Sequence, residues 1–88
     1  MRARIVVRLR PGVLDPQGAT IRKALEGLGF PEVVDLRVGK VLEMTLDESD
    51  RGRAVARLDE MCRRLLANPV IEEYSCEVDE AGESRAVP

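Results

Sequence analysis

The sequence predicts an α+β fold, a two-layer sandwich in which an antiparallel sheet carries two helices on one face. Two observations predict it. Segments whose apolar residues recur every second position stand at both ends and in the middle of the chain, and two segments with helical apolar spacing lie between them. The resulting order is β-α-β-β-α-β, for which the simplest packing places both helices on the same side of one sheet. With 88 residues the chain forms a single domain. A domain this small buries only about 60–65 % of the surface its unfolded chain exposes, so a partner chain is a natural source of further stability.

The first strand is read from Ala3, Ile5, Val7 and Leu9, which alternate with Arg2, Arg4, Arg8 and Arg10 and leave one apolar and one basic face. Pro11-Gly12 ends it. In the first helix Asp15 is the N-cap and Pro16 the first helical residue, where its missing N–H costs nothing. Ile21, Ala24, Leu25 and Leu28 form its apolar stripe, and Gly29 with Phe30 provides a left-handed stop and a closing contact. Next come Val34, Leu36, Val38, Leu42, Met44 and Leu46, all on even positions. A two-residue turn at Gly39-Lys40 would set polar residues opposite this apolar set, because a one-residue slip inverts every side chain. Two arrangements keep the parity: a hairpin with a three-residue bulged loop, Gly39-Lys40-Val41, and one long strand bent at Gly39. The hairpin is preferred, since the long strand would exceed the usual length.

The second helix is capped by Ser49 or Asp50 and presents Val55, Leu58, Met61, Cys62, Leu65 and Leu66. Asp59–Arg63 and Glu60–Arg64 are i, i+4 ion pairs in the favourable order, and Asn68-Pro69 ends the helix. The last strand covers about 70–78, with Tyr74, Cys76 and Val78 on one face and Glu73, Ser75 and Glu77 on the other. If the first and last strands are antiparallel neighbours, the basic row of one lies beside Glu73 and Glu77 of the other. The folded domain is expected over 1–78, with a disordered tail over 79–88.

Composition excludes several function classes. The chain has no His and a net charge of −2. It thus lacks the usual general base and metal ligand and the basic excess of a nucleic-acid binder. Cys62 and Cys76 fall on apolar faces, where reduced, buried thiols are expected rather than nucleophiles or zinc ligands. Phe30 and Tyr74 are too few for an aromatic RNA-binding sheet. No glycine-rich segment matches a phosphate loop, and no apolar run reaches membrane-spanning length. The N-terminal stretch is too short and too charged for a signal peptide, so the expected location is cytoplasmic. No catalytic, cofactor or metal residue is expected in this chain. An open sheet face bearing Arg2, Arg4, Arg8, Arg10, Arg37, Glu43, Glu73 and Glu77, with apolar Val6 and Ile71 among them, remains, either a solvated face or a partner surface.

Three segments carry a family resemblance: Arg10-Pro11-Gly12-Val13-Leu14-Asp15-Pro16-Gln17-Gly18, Val33-Val34-Asp35-Leu36-Arg37-Val38-Gly39-Lys40, and Glu60 to Tyr74 with its Met61-Cys62 and Leu65-Leu66-Ala67-Asn68-Pro69-Val70-Ile71-Glu72 runs. They resemble the corresponding segments of the PurS family, in the same order and spacing. The resemblance implies a non-catalytic subunit of a bacterial phosphoribosylformylglycinamidine synthase, a ligase of de novo purine biosynthesis. It implies a homodimer or larger that bridges a glutaminase subunit and a large synthetase subunit and assists ammonia transfer between them. ATP and Mg would belong to the synthetase. Asp15, Gln17, Arg37, Gly39, Lys40 and Asn68, in the family-like loops, become the candidate subunit-interface residues, although Asp15 can equally be only a cap and Lys40 only a solvated turn residue. Two other classes share the topology. One is an ACT-like sensor binding a small effector at a dimer interface. The other is an acylphosphatase-like hydrolase, for which Arg10 and Asn68 are the sole candidates.

Overall fold

The computed structural model describes residues 1–79. Its elements are β1 (Arg2–Leu9), α1 (Pro16–Gly27), β2 (Lys40–Thr45), α2 (Arg51–Met61), a π-helical turn (Cys62–Leu66) and β3 (Glu72–Asp79). The three strands form one sheet in the order β2-β1-β3, antiparallel throughout. The α+β class, the antiparallel sheet and the pairing of the first strand with the last are as expected. Asp79 closes β3; the rest of the expected tail lies outside the described residues.

Strand alternation decides which face is apolar. Ala3, Ile5 and Val7 of β1 are buried, flanked by Met44 and Leu42 on β2 and by Val78, Cys76 and Tyr74 on β3. Leu58 and Cys62 close the core from above, and Ile5, Leu58 and Cys62 are fully inaccessible. On the other face Arg4 lies between Glu43 and Glu77, Arg8 lies beside Glu73, and Arg4 approaches Glu77 at 3.9 Å. A half-exposed cross-strand pair of this kind contributes roughly 0.2–1 kcal/mol.

The central hairpin does not form. β2 starts at Lys40, opposite Val7, and residues 33–39 carry no strand pairing. The chain runs on past the end of β1: Gly39 lies against Val7 and Arg8, and Arg37 reaches the carbonyls of Arg10 and Val13. Neither arrangement weighed from the sequence forms: 33–39 is not a strand, so there is no bulged loop over 39–41 and no long strand bent at Gly39. Gly39 has no positive φ, a conformation found only at Gly12 and Gly29 among the described residues. The glycine is required for another reason. A Cβ there would stand 2.7 Å from the Val7 carbonyl oxygen, so the close approach of the two backbones needs a residue without one.

The helices also differ from the simplest packing. α2 covers the apolar face, but α1 contributes no residue to the core. Its only buried residue is Gly18, and within this chain Ile21, Ala24 and Leu28 are exposed to solvent. The caps are as expected: Asp15 accepts from the Gly18 amide at 2.9 Å, and the amides of Gly29 and Phe30 donate to Glu26 and Leu25 in a Schellman stop. Asp50, not Ser49, caps α2 through the Arg53 amide. The buried line of α2 is Ala54, Leu58 and Cys62, while Val55 and Leu65 are exposed. The π turn, closed by the Ala67 amide on the Cys62 carbonyl at 3.0 Å, accounts for Leu65. Its wider winding turns Leu65 outward and returns Ala67 to the core.

Candidate functional site

β1 ends, β2 begins and β3 begins at the same end of the sheet, since Val7 faces Lys40 and Leu9 faces Glu72. The loop 10–15, the segment 33–39 and the turn 67–71 therefore meet there, and each is part of one of the three family-like segments. Asp15 joins two of them. One carboxylate oxygen caps α1 through the Gly18 amide, and the other accepts the Val38 amide at 2.7 Å. These bonds, with Arg37 nearby, hold its carboxyl below the usual carboxylate range. Gly18 lets the helix come this close: a Cβ there would collide with the Leu36 carbonyl oxygen and stand 2.8 Å from the Asp15 carboxylate.

Two arginines tie the rest. Arg37 donates to the carbonyls of Arg10 and Val13 at 3.3 and 2.8 Å. Arg10 donates from Nε and Nη2 to the Pro69 carbonyl at 3.2 and 2.9 Å, while its amide donates to Ile71. The Asn68 carboxamide oxygen accepts the Val70 amide, and Glu72 accepts the Asn68 amide at 2.6 Å. All six candidate residues thus lie at this end. Asp15, Gln17, Gly39 and Lys40 surround a cleft of about 260 Å³ with Arg8 and Glu72. Asp15 and Arg37 also border a second cleft of about 460 Å³ between the 10–15 loop and 33–37. Asn68 lines neither, because its side chain is engaged in its own turn. Reasoning from sequence missed the clamping role of Arg10 and the tight approach at Gly18; their partners are backbone carbonyls, which carry no residue signature.

Arg10 and Asn68, the pair a phosphate-cleaving site would need, are both occupied by backbone groups. Among the described residues no cluster of three acidic, Cys or His side chains could hold a metal. Burial pushes the Cys62 thiol up to about 11, the neighbouring Cys76 adding to the shift, which is opposite to the requirement of a nucleophile. The Tyr74 hydroxyl donates to Asp59, an internal contact between β3 and α2.

Comparison with known proteins agrees with this description. The profile of the PurS family, described as phosphoribosylformylglycinamidine (FGAM) synthase, matches residues 2–80. The chain is 46 % identical over 79 residues to the phosphoribosylformylglycinamidine synthase subunit PurS of Bacillus subtilis, covering 90 % of this chain and 93 % of that one. Its fold is similar to that of Methanocaldococcus jannaschii PurS, described as one of the subunits of formylglycinamide ribonucleotide amidotransferase in the purine biosynthetic pathway, with a TM-score of 0.81, 37 % identity and coverage of 90 % and 95 %. It is also similar to a chain in the structure of PurLQS from Thermotoga maritima, with a TM-score of 0.79, 33 % identity and coverage of 86 % and 93 %. Matched over nearly its whole length in sequence and in fold, the chain belongs to the PurS family.

Proposed function

We propose that this chain is the PurS subunit of a phosphoribosylformylglycinamidine synthase and acts in de novo purine biosynthesis as an assembly subunit without catalytic residues of its own. It bridges a glutaminase subunit and an ATP-dependent synthetase subunit. It assists the passage of ammonia as formylglycinamide ribonucleotide is converted to the amidine. The observation that carries this reading is the family match over 2–80. ATP and Mg belong to the synthetase subunit. Among the described residues no helix is long and apolar enough to cross a membrane, and a cytoplasmic location fits the pathway. The ACT-like alternative has no specific observation in its favour.

Self-association is part of this reading. α1 carries an apolar stripe uncovered within the chain, with Leu28 74 % exposed. Among the described residues the outer edges of β2 and β3 have no neighbouring strand, and free edges invite pairing with another chain. A second copy would cover both features, and light scattering should show a dimer or larger at micromolar concentration.

The functional test is reconstitution. The isolated chain should not hydrolyse glutamine, and its addition to the glutaminase and synthetase subunits should restore glutamine-dependent amidine formation. Unchanged turnover on addition of the folded chain would refute the reading.

A further inference from the structure

The helix layer of this fold is half-filled within one chain. α2 lies over β3, where the Tyr74 hydroxyl donates to Asp59. On the β2 side of the apolar face, Leu42, Met44 and Leu46 are only partly covered. There an open trough of about 300 Å³ separates the Met44 end of β2 from α2 and is lined by Met44, Met61, Leu65 and Leu66, with Leu65 82 % exposed. At the other end of β2, Asp15 and Gly18 fix α1 to the 36–38 segment. α1 thereby adds nothing to the core, and its stripe of Ile21, Ala24, Leu25 and Leu28 is exposed or half-covered. The chain is drawn out to 48 × 31 × 14 Å with a Cα radius of gyration of 16.2 Å, where a compact domain of this length has about 12 Å. We propose that two copies exchange α1 across a two-fold axis, the helix of each lying in the trough of the other, with the outer edges of their β2 strands joined antiparallel. The proposal rests on the self-association in the functional reading above and adds which surfaces meet.

Three arguments support that occupant. The first is direction. An antiparallel join of two β2 edges sets the Lys40 end of one strand beside the Thr45 end of the other. α1 belongs to the first end and the trough to the second. The join that closes the free edge therefore carries each helix to the other copy's trough. A join of two β3 edges does not, because β2 lies at the opposite side of the sheet. The second is symmetry. A two-fold axis makes every contact twice, and exchange of one element between identical chains is a low-cost route to a dimer. Helix packed on helix across the axis would cover the stripe of α1 but leave the trough and the β2 edge open. The third is area. Each large apolar side chain taken out of water removes on the order of 60–120 Å². Stripe and trough, each present twice, come to on the order of 1,000 Å² or more, and the joined strands bring the contact to the size of a stable interface.

The test is complementation between two full-length variants. Leu28→Lys places a cation on the stripe at the end of α1, where the helix dipole tolerates it. Leu65→Glu places an anion in the trough. Both side chains are mostly exposed in the single chain, at 74 % and 82 %, so neither change disturbs the core. Light scattering at micromolar concentration should show the parent as a dimer or larger, with self-association weakened about tenfold or more in each variant alone. An equimolar mixture should recover the parental mass. One helix–trough contact is then unaltered, and the other sets the new cation against the new anion. Far-UV circular dichroism follows the fold, and a variant that unfolds alone should refold in the mixture. Parental mass for Leu65→Glu alone would leave the trough outside the contact, and parental mass for Leu28→Lys alone would do the same for the stripe; either overturns the proposal. A mixture in which both variants stay dissociated overturns it as well. A monomeric parent would remove the proposal and the self-association reading together. Reconstituted turnover with the parent chain is scored separately: its failure removes the assembly function, while the masses still decide the contact.

Discussion

Two glycines of α1 give a test in which helix propensity and geometry predict opposite signs. Gly18 and Gly27 both lie within the helix. By propensity alone, replacing either by Ala stabilises the helix by up to about 1 kcal/mol. At Gly27 a Cβ would meet nothing within 4 Å, so the gain should be realised in part, about 0.5 kcal/mol in the last turn. At Gly18 the new methyl would overlap the Leu36 carbonyl oxygen and come 2.8 Å from the Asp15 carboxylate. The first obstacle is backbone and cannot rotate away; either α1 or the 33–39 segment must move. Inserting a methyl into such a contact costs about 1–3 kcal/mol, which exceeds the propensity gain and leaves a net loss of about 1–2 kcal/mol. For a domain of this size that lowers the melting midpoint by roughly 5–15 °C, against a rise of a few degrees for Gly27→Ala. Denaturation must be compared at one protein concentration, because association contributes to apparent stability. A higher midpoint for Gly18→Ala than for the parent would refute the close packing of α1 on Leu36.

Other substitutions separate the remaining arguments. Gly39→Val should lower stability by about 1–3 kcal/mol in urea unfolding, and Gly39→Asn should do no better than Gly39→Ala; rescue by Asn would indicate a positive φ instead of a close backbone approach. Cys62→Ala should cost about 1 kcal/mol through lost packing and leave reconstituted turnover intact, and the native Cys62 thiol, with its pKa near 11, should react slowly with alkylating reagents at pH 8. The carboxyls of Asp15, Glu48 and Asp59 are held low by the Val38 amide, the Asp50 amide and the Tyr74 hydroxyl respectively, so their contribution is present above about pH 4 and lost as pH falls further. Tyr74 is shifted up by Asp59, so its contribution is complete below about pH 10 and lost above it. Unfolding free energy should therefore form a plateau between these limits, and Asp15→Asn should flatten its acid side.

The parts of the fold that could be read from sequence are those decided within a few residues. The Asp15-Pro16 start, the Gly29-Phe30 stop and the Asp59–Arg63 and Glu60–Arg64 pairs, at 2.9 and 3.0 Å, depend on spacing alone. The partner of Lys40–Thr45 does not. A hairpin and a long bent run leave Leu42, Met44 and Leu46 on the same face, so parity could not choose between them. Neither forms; the non-strand course of 33–39 is held by Asp15, which accepts the Val38 amide from twenty-three positions away. The π turn is equally silent: Leu65 and Leu66 fit a regular helical stripe until the extra residue rotates Leu65 to 82 % exposure. At the candidate site the residue types were correct but their targets were not visible, because Arg10 and Arg37 donate to main-chain carbonyls that any residue could supply.

That choice of target changes how a variant of Arg37 should be read. An arginine in a family-like loop invites the interpretation of a direct contact with another subunit, so loss of assembly in Arg37→Ala would ordinarily be taken as proof. Here one nitrogen of the guanidinium already spans the Arg10 and Val13 carbonyls. Its removal frees the loop that carries the exposed Leu14, and assembly could weaken without any lost contact. Coupling separates the two accounts. If Arg37 acts by holding Leu14 in place, Leu14→Ser should add little in an Arg37→Ala background, because the contact is already compromised; the double variant should lose much less affinity than the product of the single losses. Two independent contacts would instead give additive free energies. Arg37→Lys is the complementary case, since its ammonium also offers several protons from one nitrogen but sits on a shorter stem that reaches the two carbonyls less fully. Partial protection of the Val13 amide from hydrogen exchange in Arg37→Lys, with a proportionate partial recovery of affinity, is the expected outcome. Full additivity in the double variant, with parental exchange at Val13 in Arg37→Ala, would make Arg37 a direct contact and remove it from the internal scaffold.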